Sequence, residues 1–127
     1  WRSITALPAN HTVPAVGYHL DSGNASLVFS GDTTICDDFW HATNKIGNLR
    51  YLIMETAFSN REKKLAIMSK HLCPSMLAKE LEKLQRSAEL FITHLKPGQV
   101  ELTMHELEEC IGEFHPRLLQ NSHVFEF

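Results

Sequence analysis

Three side chains able to hold a divalent metal occupy related places along this sequence: His11, Asp32 and His94. His11 lies in the Ala9–Pro14 loop, just before an apolar segment. Asp32 closely follows the apolar run Leu27-Val28-Phe29 and the break at Ser30-Gly31, and His94 directly follows Ala88–Thr93. Imidazole and carboxylate suit zinc, manganese or iron, and one carboxylate can bridge two ions. The three are too far apart in sequence to form a compact zinc motif, so only folding can bring them together. A single histidine is more often a satisfied surface or core residue, and an aspartate after a strand often only caps a turn or a helix. His71, at a helix junction before Pro74, is a fourth candidate, placed to cap, to pack or to reach a substrate. Glu55 ends the run Tyr51–Met54 and reads as a supporting contact or a partner for a helix N-terminus rather than as a ligand.

The elements that must position these groups can be read from periodicity and punctuation. Arg2–Leu7 reads as a strand ended by Pro8, and Ala15–Leu20 as a second. Asp21-Ser22-Gly23-Asn24 is a strong turn leading into a third strand, Ser26–Phe29, which makes a hairpin. Gly31 has no side chain, so a ligand or another backbone can come close there. Asp37–Ile46 reads as a helix stopped by Gly47-Asn48, and Tyr51–Met54 as a buried strand. Arg61–Lys70 and Ser75–Arg86 read as helices; the second is amphipathic, with Leu77, Leu81 and Leu84 on one face and Pro74 tolerated in its first turn. Ala88–Thr93 is a further apolar strand, Pro97-Gly98 a turn, Leu102–Gly112 a helix, and Val124–Phe127 a closing strand. Strands alternate with helices through the middle of the chain, the pattern of an α/β layered domain, and strand ends in such sheets gather along one edge where ligands bind.

Composition narrows the class. At 127 residues, with 43% hydrophobic and 21% charged, the chain fits one soluble domain. A formal net charge of −3 speaks against a dedicated nucleic-acid binder. Cys36, Cys73 and Cys110 are odd in number and widely spaced, which predicts reduced thiols and a cytoplasmic setting. No apolar run approaches the ~20 residues of a membrane span. The chain opens on Trp1 inside what reads as an ordered segment, which suggests part of a longer protein.

Five segments in order carry a resemblance: Asn10-His11-Thr12-Val13-Pro14-Ala15-Val16-Gly17-Tyr18, Phe29-Ser30-Gly31-Asp32-Thr33, Glu55-Thr56-Ala57-Phe58, Lys70-His71-Leu72-Cys73-Pro74 and Thr93-His94-Leu95-Lys96-Pro97. Together they resemble the C-terminal half of a metallo-β-lactamase-fold phosphodiesterase. The His71-Leu72-Cys73-Pro74 and His94-Leu95-Lys96-Pro97 segments are most similar to class II 3′,5′-cyclic-nucleotide phosphodiesterases. Gly17-Tyr18 and Ser30–Thr33 are shared with the tRNA 3′-end-processing endonucleases. The resemblance implies an α/β fold, the C-terminal half of an αββα sandwich, with residues 1–127 forming part of a single domain whose N-terminal half is absent. It implies that His11, Asp32 and His94 bind two divalent ions, zinc foremost with manganese or iron as alternatives. It further implies that Asp32 bridges the ions and that His71 assists the chemistry. The family's His-x-His-x-Asp-His motif occurs nowhere in this sequence, so the chain holds about half of the implied ligands.

The implied reaction is hydrolysis of a 3′,5′-cyclic nucleotide to a nucleoside 5′-phosphate. The alternatives are tRNA 3′-end processing, which needs an RNA-gripping arm and basic surface not visible here, and a non-catalytic scaffold. In the scaffold, or in a homodimer, the helices at Ser75–Arg86 and Leu102–Gly112 would pack against a partner.

Overall fold

Among the described residues six strands form one sheet in chain order: β1 (Ser3–Pro8), β2 (Val16–Asp21), β3 (Ser26–Phe29), β4 (Leu49–Glu55), β5 (Glu89–Thr93) and β6 (Arg117–Leu118). The computed structural model describes residues 3–127. β1, β2 and β3 pair antiparallel, whereas β3 through β6 pair in parallel. The switch follows from the connections. Between β2 and β3 the Asp21 carboxylate accepts the Gly23 N–H, and Gly23 takes a φ of 94°, so a tight reversal suffices. Beyond β3, the crossovers to β4 and β5 carry α1 (Asp37–Thr43), then α2 (Lys63–Ser69) and α3 (Pro74–Leu81); α4 (Val100–Ile111) precedes β6.

All four helices stand on one face. Val28, Leu52, Met54, Leu90 and Ile92 point to that face and pack with Phe39 and Trp40 of α1, Ala66 of α2, Leu77 and Leu81 of α3, and Leu107 and Ile111 of α4. The alternate residues Leu27, Tyr51, Ile53 and Phe91 form a second cluster on the other face, covered by Phe125 and Phe127 of the C-terminal tail and by no helix. That alternation is why β3, β4 and β5 read as continuous apolar runs: strands buried on both faces have no polar side to show. Toward β1 the same open face leaves Ile4 and Tyr18 exposed.

The hairpin and the alternation of strands and helices stand as the sequence predicts, and several boundaries move. Residue Arg2 of the expected first strand lies outside the described residues. The helix expected over Ser75–Arg86 begins one residue earlier, at Pro74, and ends at Leu81. Beyond it Glu82, Lys83 and Leu84 each bond three residues back, and Asn44 takes up the chain by bonding the Lys83 carbonyl and the Gln85 N–H. The segment Arg61–Lys70 divides into a 3-10 turn at Asn60–Glu62 and α2, and the helix expected to Ile46 stops at Thr43.

The expected closing strand at Val124–Phe127 is not one. Arg117–Leu118 already fills the edge beside β5, with the Leu119 N–H bonding the Ile92 carbonyl. The tail instead crosses the open face, where Phe125 lies 4.9 Å from Tyr51 and 5.0 Å from Phe91 by ring centroids. Nor are α3 and α4 free for a partner along their apolar faces, because they pack against each other and the sheet. Cys36, Cys73 and Cys110 are all free thiols. No helix among the described residues is long and apolar enough to cross a membrane.

Candidate metal centre

The candidate ligands lie at the C-terminal ends of the parallel strands. After β3 the chain turns at Ser30-Gly31, where Gly31 has φ +61° and a Cβ would meet the Val16 carbonyl oxygen at 2.6 Å. Gly17 faces the same constraint from the other side, its added Cβ lying 2.6 Å from the Phe29 oxygen. The close approach at Gly31 is thus that of another backbone, and it aims the next residue, Asp32, across the sheet edge. After β5, His94 takes a left-handed φ of 63°, which costs a non-glycine residue about 1–2 kcal/mol. That turn sets its Nδ1 3.5 Å from Asp32 Oδ1.

His71 arrives by a different route. α2 ends with Lys70 in the left-handed conformation at φ 56°, while the His71 N–H bonds the Ala66 carbonyl, a helix-terminating reversal usually given to glycine. The reversal turns the His71 ring onto His94, with centroids 5.2 Å apart and planes inclined by 17°. Asp32, His71 and His94 thereby each offer one ligand atom, all within 4.8 Å of one another. One carboxylate and two imidazoles at that spacing form a potential site for a single metal ion. His11 is not part of this group, although its ring lies 4.9 Å from that of His71. Its Nδ1 is 2.9 Å from the Lys70 carbonyl oxygen. A carbonyl only accepts, so Nδ1 is the donor in this contact.

Behind the cluster Glu55 is fully buried and acts as the hub. Its Oε1 lies 2.5 Å from His71 Nδ1 and accepts the Thr33 N–H at 3.2 Å. Its Oε2 accepts the N–H groups of Ala57 at 3.1 Å and Leu72 at 3.2 Å. One carboxylate therefore ties the loop of Asp32, the loop of His71 and its own strand end together. The Ser30 hydroxyl adds to the tie by accepting the Glu55 N–H at 3.0 Å. On the far side of Asp32, the Asn10 N–H bonds the Thr33 hydroxyl and the Thr34 N–H bonds the Asn10 carbonyl, fixing the loop that carries His11.

Burial pushes the Glu55 carboxyl up to about 7, against the pull of its three backbone N–H donors. Burial likewise lowers the His71 pKa, with His11 adding to the effect and Asp32 opposing it. Both shifts disfavour charge. A cation at His71 Nε2 would favour the imidazole with Nδ1–H donating and Glu55 as the accepting carboxylate, the usual backing for a metal-bound histidine. The donor set thus fits a divalent metal.

Of the four histidine and aspartate candidates read from the sequence, Asp32, His71 and His94 meet at one sheet edge, and His11 stands beside them against His71. What the sequence reading ranked below them is Glu55, whose only signal was a carboxylate ending an otherwise continuous apolar strand.

The sheet with helices on one face is an α/β sandwich resembling part of the metallo-β-lactamase fold. Over 97% of its length the chain matches YhfI, a metallo-β-lactamase fold protein from Bacillus subtilis, at a TM-score of 0.76 and 21% identity, covering 49% of that chain. It also matches the short form of human tRNase Z over 76% of this chain and 36% of that one, at a TM-score of 0.62 and 20% identity. A variant of the CmlA β-hydroxylase matches over 92% of this chain and 29% of that one, at a TM-score of 0.64 and 12% identity. The chain thus spans half or less of each of these proteins. At such identities the likeness is one of fold. No protein-family model matches the sequence, and neither does any curated protein.

Proposed function

We propose that this chain is the C-terminal portion of a single metallo-β-lactamase-like domain that hydrolyses phosphodiesters with two divalent ions, and that its substrate is a 3′,5′-cyclic nucleotide. The observation that carries the reading is the convergence of Asp32, His71 and His94, backed by buried Glu55, on the edge where parallel strands end. The share of each matched structure that the chain spans supports the half-domain reading, as does the apolar sheet face at Ile4 and Tyr18, suited to packing on a second sheet.

In this reading His11, Asp32 and His94 would hold the ions, and His71 is kept for the reaction. Bound divalent ions, zinc foremost with manganese or iron as alternatives, polarise phosphoryl oxygens and lower the pKa of water. A water oxygen bonds to phosphorus, the bond from phosphorus to O3′ breaks, and O3′ receives a proton while remaining attached to the nucleoside 5′-phosphate. His71 would deliver that proton from Nε2, with Glu55 holding the ring through Nδ1; such general-acid help is typically worth ~10²–10⁴ in rate.

The test compares cyclic AMP with a precursor tRNA as substrates of the whole domain. Hydrolysis of cyclic AMP alone supports the reading, and cleavage of the tRNA alone replaces it with RNA processing. Neither activity, together with no bound metal, leaves a non-catalytic scaffold. His71→Ala is expected to slow turnover about 100-fold or more while metal content stays the same. Metal loss in that variant reassigns His71 as a ligand, the role its place beside Asp32 and His94 equally allows.

A further inference from the structure

Beside the candidate metal centre lies a cavity of about 330 Å³, lined by Ala57, Phe58, Leu95, Lys96 and Pro97 together with His71 and His94. Its volume is at the lower end of the ~300–1,000 Å³ usual for small-molecule pockets. Two of its walls are the imidazoles of the metal centre, so any occupant touches that centre at one end. The remaining lining is mostly apolar, with one cation at the rim. The walls are fixed to each other: the Lys96 N–H bonds the Ala57 carbonyl at 2.9 Å, and the Phe58 N–H bonds the Leu72 carbonyl at 3.4 Å. Phe58 packs partly into the core, and its ring centroid stands 5.8 Å from that of His71, edge to face. Lys96 Nζ sits 3.0 Å from both carboxylate oxygens of Glu62, which keeps the ammonium at the rim instead of trailing in solvent.

An aromatic face, apolar side walls and one tethered ammonium, all beside a centre suited to phosphate chemistry, match a planar base joined to a phosphate. We propose that this cavity is the nucleoside subsite of the site described above, with Phe58 as the stacking surface for the base and Lys96 as a second positive contact for the phosphate. The inference rests on the phosphodiesterase reading and adds where the base of the nucleotide is held. The preformed walls require no closing loop. Base stacking on an aromatic ring is worth ~1–3 kcal/mol per base, or roughly 5- to 150-fold in affinity.

The experiment titrates the chain with adenosine 5′-monophosphate, adenosine and inorganic phosphate, with and without zinc, following backbone amide resonances. Adenosine 5′-monophosphate is expected to shift Ala57, Phe58 and Lys96 and to bind more tightly than phosphate. Phe58→Ala should weaken the nucleotide roughly 5- to 150-fold and leave phosphate within about twofold. Phe58→Leu, which keeps the packing without the ring, should behave the same way and separates stacking from misfolding. Lys96→Ala should weaken both phosphate-bearing ligands, and neither position should alter zinc stoichiometry. The subsite is overturned if the nucleotide binds no better than phosphate, or if the Phe58 variants weaken both ligands equally. A chain that takes up no zinc yet still binds adenosine through Phe58 keeps the subsite and loses the hydrolase; one that binds zinc and phosphate with no gain from the base does the reverse.

Discussion

Replacing Glu55 by glutamine separates the two jobs its carboxylate performs. Glu55 receives N–H groups from Thr33, Ala57 and Leu72 and holds His71 Nδ1 at 2.5 Å. A glutamine has one oxygen and one NH₂ group, so in either orientation the NH₂ confronts two groups that were bonded to oxygen. With NH₂ in place of Oε2, the Ala57 and Leu72 N–H groups lose their acceptor. With NH₂ in place of Oε1, Thr33 loses its acceptor, and His71 must accept at Nδ1 and move its proton to Nε2. Hydrogen bonds to charged groups are worth ~1.5–3 kcal/mol each, so two lost bonds cost about 3–6 kcal/mol. Against this, glutamine escapes the cost of a buried charge. Raising Glu55 from 4.5 to about 7 corresponds to about 3 kcal/mol at neutral pH and above. The two effects largely offset in folding, so Glu55→Gln should lower stability by only about 0–3 kcal/mol at pH 7 in chemical denaturation.

Metal binding has no such compensation. Glu55 Oε1 anchors the loop of Asp32 through the Thr33 N–H; loss of a group that supports a metal ligand typically costs 10–100-fold in affinity, and that loss is expected in a zinc competition titration. The pH dependence adds a second check, measured with chelator present. A carboxyl whose pKa rises on folding contributes stability below 4.5, and this contribution is lost as pH climbs to about 7. The stability difference between the wild type and Glu55→Gln should therefore move by about 3 kcal/mol across that window, with glutamine gaining as pH rises. Unchanged zinc affinity, or a stability difference that stays flat with pH, would refute the placing of Glu55 as a buried support for His71 and the loop of Asp32.

Three further outcomes follow from the same geometry. Asp32→Asn removes the only carboxylate of the three-residue cluster and should weaken zinc binding at least 10-fold by calorimetry while changing stability by less than about 0.5 kcal/mol, because Asp32 is exposed. Gly31→Ala combines a φ of +61° with a 2.6 Å approach to the Val16 oxygen, so a loss of about 2–4 kcal/mol in unfolding free energy is expected, and metal affinity should fall with it. Glu80→Ala strips the acceptor from the Cys36 N–H and the Trp40 indole, both at 3.0 Å, and leaves Lys83 without its buried partner. It should cost about 2–4 kcal/mol by urea denaturation without touching metal affinity.

Much of the architecture was legible from residue order because the strongest signals are local. Leu27–Phe29, Tyr51–Met54 and Ala88–Thr93 are short, largely apolar runs, the pattern of strands covered on both faces. The Asp21–Asn24 turn could only close a hairpin. Where the reading slipped, the deciding contact came from far along the chain. Asn44 ends α3 from a distance of about forty residues in sequence, and Arg117–Leu118 took the edge that Val124–Phe127 had been expected to fill.

The candidate site divides in the same way. Sequence by itself determined which side chains stand at the ends of the strands, since a parallel sheet built from these crossovers must present Asp32, Glu55 and His94 along a single edge. Only the tertiary structure decided their roles. It drew His71 in with Asp32 and His94 and left His11 one ring away, and it buried Glu55 under three loops at once. Strand ends are set by short-range periodicity, whereas the distance between two donor atoms depends on left-handed turns at Lys70 and His94 and on bonds spanning 16 to 25 residues, which no local pattern encodes.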